Sequence, residues 1–315
     1  ECLAFVDQGL KHLSLGRKPE TVVDHFGVTG HQLILEMGRR PIKRDRLDPP
    51  MGGEQDRPAR PINRHGAGAV SEIGDAQLRR QDGDLLHLLV DKIGGKGDIV
   101  MVTGVPGTSV DTARTAAAKE VFAKHPDIKI VGEAVGMWSQ AVARTELSKL
   151  LSTRKWDDIS GLWMQVGCFT ANSMQIEAGK TPEQLLPCAG EGSNGGRLQM
   201  LPKDTTVDGA ASPYIPMAAP RISYASPPYS GALALKLAVD LIEGKEVPRH
   251  TTLPLPIVTN ETVKLCETGE WEELKNGCNV FQPALVSNPG WFASIYSAEL
   301  PGLGLQAALV GQPDE

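Results

Sequence analysis

The fold of this chain is decided by the stretch from Gly97 to Phe122, GDIVMVTGVPGTSVDTARTAAAKEVF. Its first part, Asp98 to Thr103, is a short run of apolar and β-branched residues, which is typical of a buried strand. Two glycines and a proline interrupt the run, and Ser109 and Asp111 are residue types that cap helices before a helical pattern begins. A strand, a tight loop and a helix N-terminus make half of a βαβ unit. Ligands of such sheets bind at these loops, so we expect this loop to touch the ligand.

One predicted helix precedes this stretch, and the order of strand and helix repeats after it. The predicted strands are 128–131, 159–166, 185–189 and 222–225, and the predicted helices are 85–93, 141–151, 171–178 and 230–242. Residues 197–219 are predicted to be irregular, 251–258 an edge or crossover strand because of its prolines, and 263–274 a short helix. Strands and helices that alternate in units of this length predict an α/β fold with a doubly wound parallel sheet.

Residues 1 to about 85 differ in composition from the rest of the chain. The segment 39–80 is rich in Arg, Pro, Gly and His and has no strand or helix periodicity. It contains a basic cluster: Arg39, Arg40, Lys43, Arg44 and Arg46. We interpret this cluster as a solvated segment rather than an anion or nucleic-acid site, because acidic residues are interspersed and no aromatics interleave. His25, His31 and His65 lack the spacing of metal ligands, so no metal site is expected there.

Composition excludes several classes of protein. The chain has 315 residues, enough for two domains, and its 41% hydrophobic residues suffice for a sizeable core. A formal net charge of −6 argues against a nucleic-acid partner. No apolar run reaches the length of a membrane-spanning helix. No basic-then-apolar leader opens the chain and the first residue is not Met, so a mature or truncated form is expected.

The five cysteines do not form a CxxC motif, which argues against a zinc knuckle. Cys168 and Cys188 each follow a strand-like run and are placed to lie side by side, whereas Cys266 and Cys278 flank a short polar segment. Two such bridges would indicate an oxidising compartment. Four buried free thiols are the alternative.

The loops that follow the strands carry planar hydrogen-bonding side chains and a flat aromatic. These residues are Thr108, Ser109, Asp111, Arg114, Trp138, Gln140, Gln165, Thr170, Glu191, Ser193, Asn194, Tyr224 and Ser226. A sugar presents hydroxyls around its rim, which Asp, Asn, Gln and Arg can match, and an apolar face, which Trp can cover. The simpler interpretations are core packing for Trp138 and a solvated helix position for Arg114.

Enzymatic chemistry is poorly supported by the sequence. There is no G-x-S-x-G nucleophile elbow, and no histidine falls on a predicted carboxyl-end loop. The loop GVPGTS lacks the Lys-Ser/Thr pair of a phosphate-binding P-loop. The glycine-rich stretch 190–196 is a weak dinucleotide fingerprint. No catalytic residue, metal or cofactor is therefore expected.

Several stretches together resemble sugar-binding periplasmic proteins of ABC transporters, most closely the ribose-binding-protein-like group with the type I periplasmic fold. They are GGKGDIVMVTGVPGTSVDTAR, HPDIKIVGEAVGMWSQ, LWMQVGCF, CAGEGSNGG, ASPPYSGALALKLAVDLIEGKEVP and LPLPIVT. The resemblance spans about residues 90–300. It implies two Rossmann-like lobes joined by a hinge, a sugar held between them, no catalysis, a membrane permease as partner, a periplasmic location and a monomer.

The resemblance also implies roles for particular residues. Arg114 stands where the family has a sugar-binding Arg, Trp138 where an aromatic stacks on the sugar, and Glu191 where a G-x-D-G loop has Asp. Ser226 lies near a family Gln, and Val166 replaces an Asn that contacts a hydroxyl in the ribose binders. The expected ligand-binding set is Ser109, Asp111, Arg114, Trp138, Gln165, Glu191, Asn194 and Ser226.

The expected organisation has four parts. Residues 1–90 form an atypical or incomplete N-terminal lobe, 91–225 the C-terminal Rossmann-like lobe, 226–250 a helix that crosses back to the N-terminal lobe, and 251–315 a crossover strand and C-terminal extension. Two other functions stay open. One is the effector-sensing domain of a transcription regulator. The other is an α/β enzyme that binds a sugar phosphate at the helix N-terminus formed by residues 108–111.

Overall fold

The computed structural model describes residues 83, 85–248, 251–253 and 256–311. The basic cluster, the three histidines of the N-terminal segment and most of the predicted atypical lobe lie outside these residues.

The helices and strands alternate along the described chain. The helices are α1 (residues 85–92), α2 (Ser109–Ala123), α3 (Gln140–Leu151), α4 (Cys168–Glu177), α5 (Asn194–Met200), α6 (Ser230–Ile242), α7 (Trp271–Lys275) and α8 (Leu305–Val310). The strands are β1 (Gly97–Thr103), β2 (Ile128–Val135), β3 (Gly161–Met164), β4 (Cys188–Ala189), β5 (Arg221–Ser223), β6 (Val258–Thr259), β7 (Leu265–Cys266) and β8 (Val280–Phe281). Short 3-10 turns cover Trp156–Asp158 and Pro182–Gln184.

The main sheet of the described chain has six strands in the order β2-β1-β3-β4-β5-β6. The first five pair in parallel, and β6 pairs antiparallel to β5 at the edge. The predicted α/β fold with a mostly parallel, doubly wound sheet is therefore confirmed. The predicted strand over 251–258 is reduced to β6, which does lie at a sheet edge.

Strand β1 is buried on both faces because helices cover each side of the sheet. Ile99 and Met101 pack with residues of α1 and α2, whereas Val100 and Val102 pack with residues of α3 and α4. Successive side chains of a strand point to opposite faces, so a strand between two helical layers must be apolar at every position. This burial explains why β1 reads as a continuous apolar run.

Two predictions about the second half of the chain are wrong. The predicted helix 263–274 contains strand β7, and a helix begins only at Trp271. The reason is that Leu265 and Cys266 pair with Val280 and Phe281 of β8, a contact that local periodicity does not reveal. The predicted irregular segment also begins inside α5, whose N-cap is Ser193.

Both of the cysteine pairs considered above are joined by disulfides. Cys168 at the start of α4 is bonded to Cys188 of β4, with a Cα–Cα distance of 5.9 Å. Cys266 of β7 is bonded to Cys278, with a Cα–Cα distance of 5.1 Å. The first bridge joins two neighbouring elements at the base of their loops, and the second stabilises the small sheet of β7 and β8.

Helix α6 is strongly apolar, yet among its residues Leu233 is the buried one. Leu241 and Ile242, at its C-terminal end, are 62% and 70% exposed. In the described part of the chain, none of the helices combines the length and the apolar character needed to cross a membrane.

Candidate functional site

The candidate site is the rim formed by the loops at the carboxyl ends of β1 to β5. These loops cover residues 104–108, 136–139, 165–167, 190–193 and 224–229. In a parallel sheet they all lie at the same edge, so polar residues that are distant in sequence come together there.

Asp111 ties the loop after β1 to the loop after β3. It lies in the first turn of α2, where Thr108 caps the helix by accepting a hydrogen bond from the Asp111 backbone N–H. The Asp111 Oδ1 atom accepts hydrogen bonds from the Gly104 backbone N–H at 2.6 Å and from Nε2 of Gln165 at 2.8 Å. A carboxylate is also favoured at a helix N-terminus by the helix dipole.

Trp138 is held over the loop after β1 by two features. Its indole Nε1 donates a hydrogen bond to Oε1 of Gln165 at 2.8 Å, and its backbone has a φ of 51°. Gly104 makes the close approach possible, because a Cβ at that position would lie 2.1 Å from the indole nitrogen. Trp138, Gln165 and Asp111 therefore form one hydrogen-bonded chain at the rim.

Arg114 and Ser226 connect α2 to the loop after β5. The Nη2 atom of Arg114 donates to the Ser226 hydroxyl at 3.1 Å. The Arg114 side chain is largely buried, and Ser226 is half-buried. The structure thus brings together two of the residues that the sequence placed in the site.

Glu191 is the centre of a second polar network. Its carboxylate accepts hydrogen bonds from the Gly167 backbone N–H at 2.7 Å, from Nε2 of Gln140 at 2.7 Å and from the Ser193 hydroxyl. Gln140 in turn accepts a hydrogen bond from the Thr170 hydroxyl at 2.6 Å. Glu191 is 1% exposed, so it organises the rim from within rather than facing solvent.

Two predicted site residues do not join these networks. The side chain of Asn194 is buried and pairs with the backbone of Phe281, donating at 2.8 Å and accepting at 2.7 Å. Its amide is thus used to attach β8 to the rim helix α5, and its expected contact with a ligand stays a prediction. Ser109 is exposed in the first turn of α2.

Sequence reasoning missed two fully buried arginines behind the rim, Arg197 of α5 and Arg221 of β5. Burial and the neighbouring charge of Arg221 lower the pKa of Arg197 to about 9. Burial also lowers the pKa of Arg221, and the nearby Glu191 carboxylate opposes this effect. The position of Arg221 directly before the predicted strand 222–225 was the available signal, because a buried charge must find a partner.

Tyr214 is another residue near the rim that the sequence did not single out. Its ring contacts that of Phe169 edge to face, with centroids 5.4 Å apart. Burial and the charge of Glu191 raise the pKa of Tyr214. Tyr214 lies in the segment between α5 and β5, which carries no recognisable motif.

Residues 83–246, just over half of the chain, match the family model for the periplasmic binding protein domain. The chain belongs to this family. The predicted resemblance to periplasmic binding proteins is thereby confirmed, and the matching family is one of binding proteins.

The matches between this chain and its known relatives cover only part of the relatives' length. A xylitol-binding protein of Mycolicibacterium smegmatis is 31% identical over 68 residues, which are 22% of this chain and 20% of that protein. A solved ABC transporter solute binding protein from Thermobispora bispora is 20% identical with a TM-score of 0.51, and the match covers 76% of this chain and 64% of that one.

A further solved neighbour is an ABC transporter periplasmic solute binding protein from Actinobacillus succinogenes with bound D-allose. It is 21% identical with a TM-score of 0.46, and the match covers 59% of this chain and 61% of that one. The chain thus spans about a fifth of the curated relative and about three fifths of these solved structures.

Proposed function

We propose that this chain binds an uncharged sugar or polyol at the rim and serves as the solute-binding component of an ABC transporter. The observation that carries the proposal is the chain of hydrogen bonds from Trp138 through Gln165 to Asp111. It fixes an indole ring beside the side-chain oxygens of Gln165 and Asp111, whose remaining lone pairs can accept from a ligand hydroxyl.

The chemistry of the rim suits a polyhydroxylated molecule. Asp111 and Gln165 offer acceptors and donors in fixed planes, and a half-buried indole can cover an apolar C–H face. Because these side chains already hold one another in place, the ligand would not have to order them, which favours affinity.

The balance of charge at the rim favours an uncharged ligand. Asp111 and Arg114 lie on the same helix, α2, and the Glu191 carboxylate is paired with Arg221. An acidic sugar or a phosphate would have to be placed near carboxylates that repel it. The partial match to a xylitol-binding protein supports a polyol or a related sugar.

The remaining parts of the proposal follow from family membership. We propose a periplasmic location, delivery of the bound solute to a membrane permease, and a monomeric chain. The two disulfides agree with an oxidising compartment.

A thermal-shift titration of the full chain tests the proposal, with xylitol, D-arabinose and D-allose as probes. A ligand that binds only the folded state at 100 times its Kd stabilises it by about 2.7 kcal/mol. This corresponds to an increase of roughly several degrees in Tm. The Trp138→Ala variant should lose the shift. If no sugar or polyol, furanosides included, moves the Tm of the unmodified chain, the proposed function is wrong.

A further inference from the structure

We propose that Arg221, buried behind the rim, is a positioning residue that fixes Glu191 and thereby sets Gln140 and Thr170 for the ligand. Its Nη2 atom donates to the Glu191 backbone oxygen at 3.0 Å and lies 3.5 Å from the carboxylate oxygen Oε2. The Arg221 side chain is 0% exposed, so it acts on the ligand only through Glu191. The effect on ligand rests on the proposed function, whereas the effect on Glu191 does not.

Glu191 needs such support because its backbone is in an unfavourable conformation. Its φ is 52°, in the left-handed region that non-glycine residues rarely adopt. The carbonyl oxygen of this strained residue accepts hydrogen bonds from Arg221 and from the Ser223 hydroxyl, the latter at 2.9 Å. One guanidinium therefore holds both the backbone and the carboxylate of Glu191.

The surroundings of Arg221 are built for this contact. Gly196 leaves the space that the guanidinium occupies, since a Cβ there would lie 2.1 Å from Nη1. The second buried guanidinium, Arg197, donates instead to neutral oxygens of Ser223, Asn279 and Ser294. Among the described ion pairs, Arg221 is paired with Glu191, so removing either partner leaves a buried charge uncompensated.

From Glu191 the effect reaches three rim loops. The carboxylate accepts from Gly167 in the loop after β3, from Gln140 at the start of α3 and from Ser193 in its own loop. Two titratable groups interact electrostatically with Glu191, the Arg221 guanidinium and the neutral Tyr214 phenol, and Arg197 interacts in turn with Arg221. A displacement of Glu191 therefore moves donors that would bind the ligand.

Hydrogen exchange of the Gly167 amide, measured by NMR on the full chain, reports the position of Glu191 without any ligand. In the Arg221→Met variant this amide should exchange at least about tenfold faster, because a hydrogen bond to a charged acceptor is lost. The Gly104 amide, which donates to Asp111 in the other network, is the internal control and should keep its rate.

Two further variants keep the test decisive if Arg221→Met does not fold. Gly196→Ala should push the guanidinium aside without removing its charge and should accelerate Gly167 in the same way. Alanine favours a helix more than glycine does, so helix propensity cannot account for that result. Arg221→Lys keeps the charge but not the planar fork and should give an intermediate rate.

Combining Arg221→Met with Glu191→Gln distinguishes the loss of the Arg221–Glu191 interaction from the mere change in side-chain volume at each position. Arg221→Met and Glu191→Gln should each lower Tm, and the double variant should lower it by less than the sum, because the uncompensated charge is gone. With the probe that shifts the unmodified chain most, Arg221→Met should weaken binding at least about tenfold. An unchanged Gly167 exchange rate in the Arg221 variants overturns the inference even if sugars bind. A chain that binds no probe but shows the exchange effect refutes only the proposed function.

Discussion

The indole nitrogen of Trp138 donates a 2.8 Å hydrogen bond to the side-chain oxygen of Gln165, and this bond joins two rim loops that are 27 residues apart. The other end of the Gln165 amide donates to Asp111. The orientation of the indole is therefore coupled to the N-terminus of α2 through the side chain of Gln165. A substitution of Trp138, Gln165 or Asp111 should therefore shift the side chains of the other two.

Gly104→Ala should disrupt the site with little change in the rest of the sheet. The new Cβ would lie 2.1 Å from the Trp138 indole nitrogen and 2.7 Å from Oε1 of Gln165, so both side chains must move. We expect a loss of stability of about 1–3 kcal/mol, which is typical of overpacking. Sugar binding should weaken as well, and both effects are measured by denaturant unfolding and by titration.

A matched control for this variant is Gly290→Ala. Gly290 is exposed, and a Cβ there would approach only Asn288, at 3.3 Å. Its stability and binding should stay close to those of the unmodified chain. Equal binding by Gly104→Ala and the unmodified chain would contradict the assignment of Trp138 to the site.

Removing the Cys168–Cys188 disulfide should loosen the rim around Glu191. Cys168 follows Gly167, whose backbone N–H donates to Glu191, and Cys188 lies two positions before Gly190. Loss of a bridge with a sequence separation of 20 residues should cost roughly 3 kcal/mol. The Cys168→Ser/Cys188→Ser variant should therefore unfold at lower denaturant concentration and bind sugar more weakly.

The Cys266→Ser/Cys278→Ser variant is the comparison for that experiment. This second bridge belongs to the small sheet of β7 and β8, whose residues are not among the described hydrogen-bond partners of Glu191. It should lower stability while leaving the sugar affinity of the folded chain unchanged. Unchanged sugar affinity in the Cys168→Ser/Cys188→Ser variant, with weaker binding in the Cys266→Ser/Cys278→Ser variant, would show that the first bridge does not support the rim.

The Glu273 carboxylate should make the small C-terminal sheet sensitive to acid. Burial alone would raise its pKa, but the backbone N–H groups of Glu267, Gly269 and Thr268 outweigh burial and lower the pKa below the ordinary 4.5. A lowered pKa in the folded state means that the stabilisation is fully present above pH 4.5 and is lost as the pH falls through the lowered value.

Thermal unfolding of Glu273→Gln at several pH values checks this prediction. At pH 7 the variant should melt below the unmodified chain, because its amide cannot accept all of these hydrogen bonds. The difference should shrink toward pH 3, at which the unmodified carboxyl is also losing its charge. A difference that stays constant from pH 7 to pH 3 would contradict the prediction.

The central sheet and the meeting of the loops at the candidate site could be predicted because they depend on local patterns and one general rule. The apolar run of β1 is a local signal, and so are the capping residue types Ser109 and Asp111, although the N-cap of α2 is Thr108, one residue earlier. The carboxyl ends of parallel strands necessarily meet. This rule brought Asp111, Trp138 and Gln165 together from three separate loops.

The parts that were missed depend on contacts across the sequence. Arg197 donates to the backbone of Asn279, 82 residues away, and β7 exists because β8 lies beside it. Neither contact leaves a trace in local periodicity. The same is true of the carboxylate of Glu191, whose partner Arg221 is 30 residues away at the start of a strand.

Asn194 is a residue that the sequence pattern places in the site but whose side chain is used for a contact within the fold. Its side chain both donates to and accepts from the Phe281 backbone, and it is fully buried. Asn194→Ala should therefore leave two buried backbone groups unsatisfied and cost about 2–4 kcal/mol in unfolding free energy. Under conditions in which the variant is folded, its sugar affinity should match that of the unmodified chain, whereas Gln165→Ala should bind at least about tenfold more weakly with a smaller loss of stability. Denaturant unfolding and calorimetric titration of the two variants side by side decide the matter, because a ligand contact through Asn194 would lower affinity even where the fold is intact.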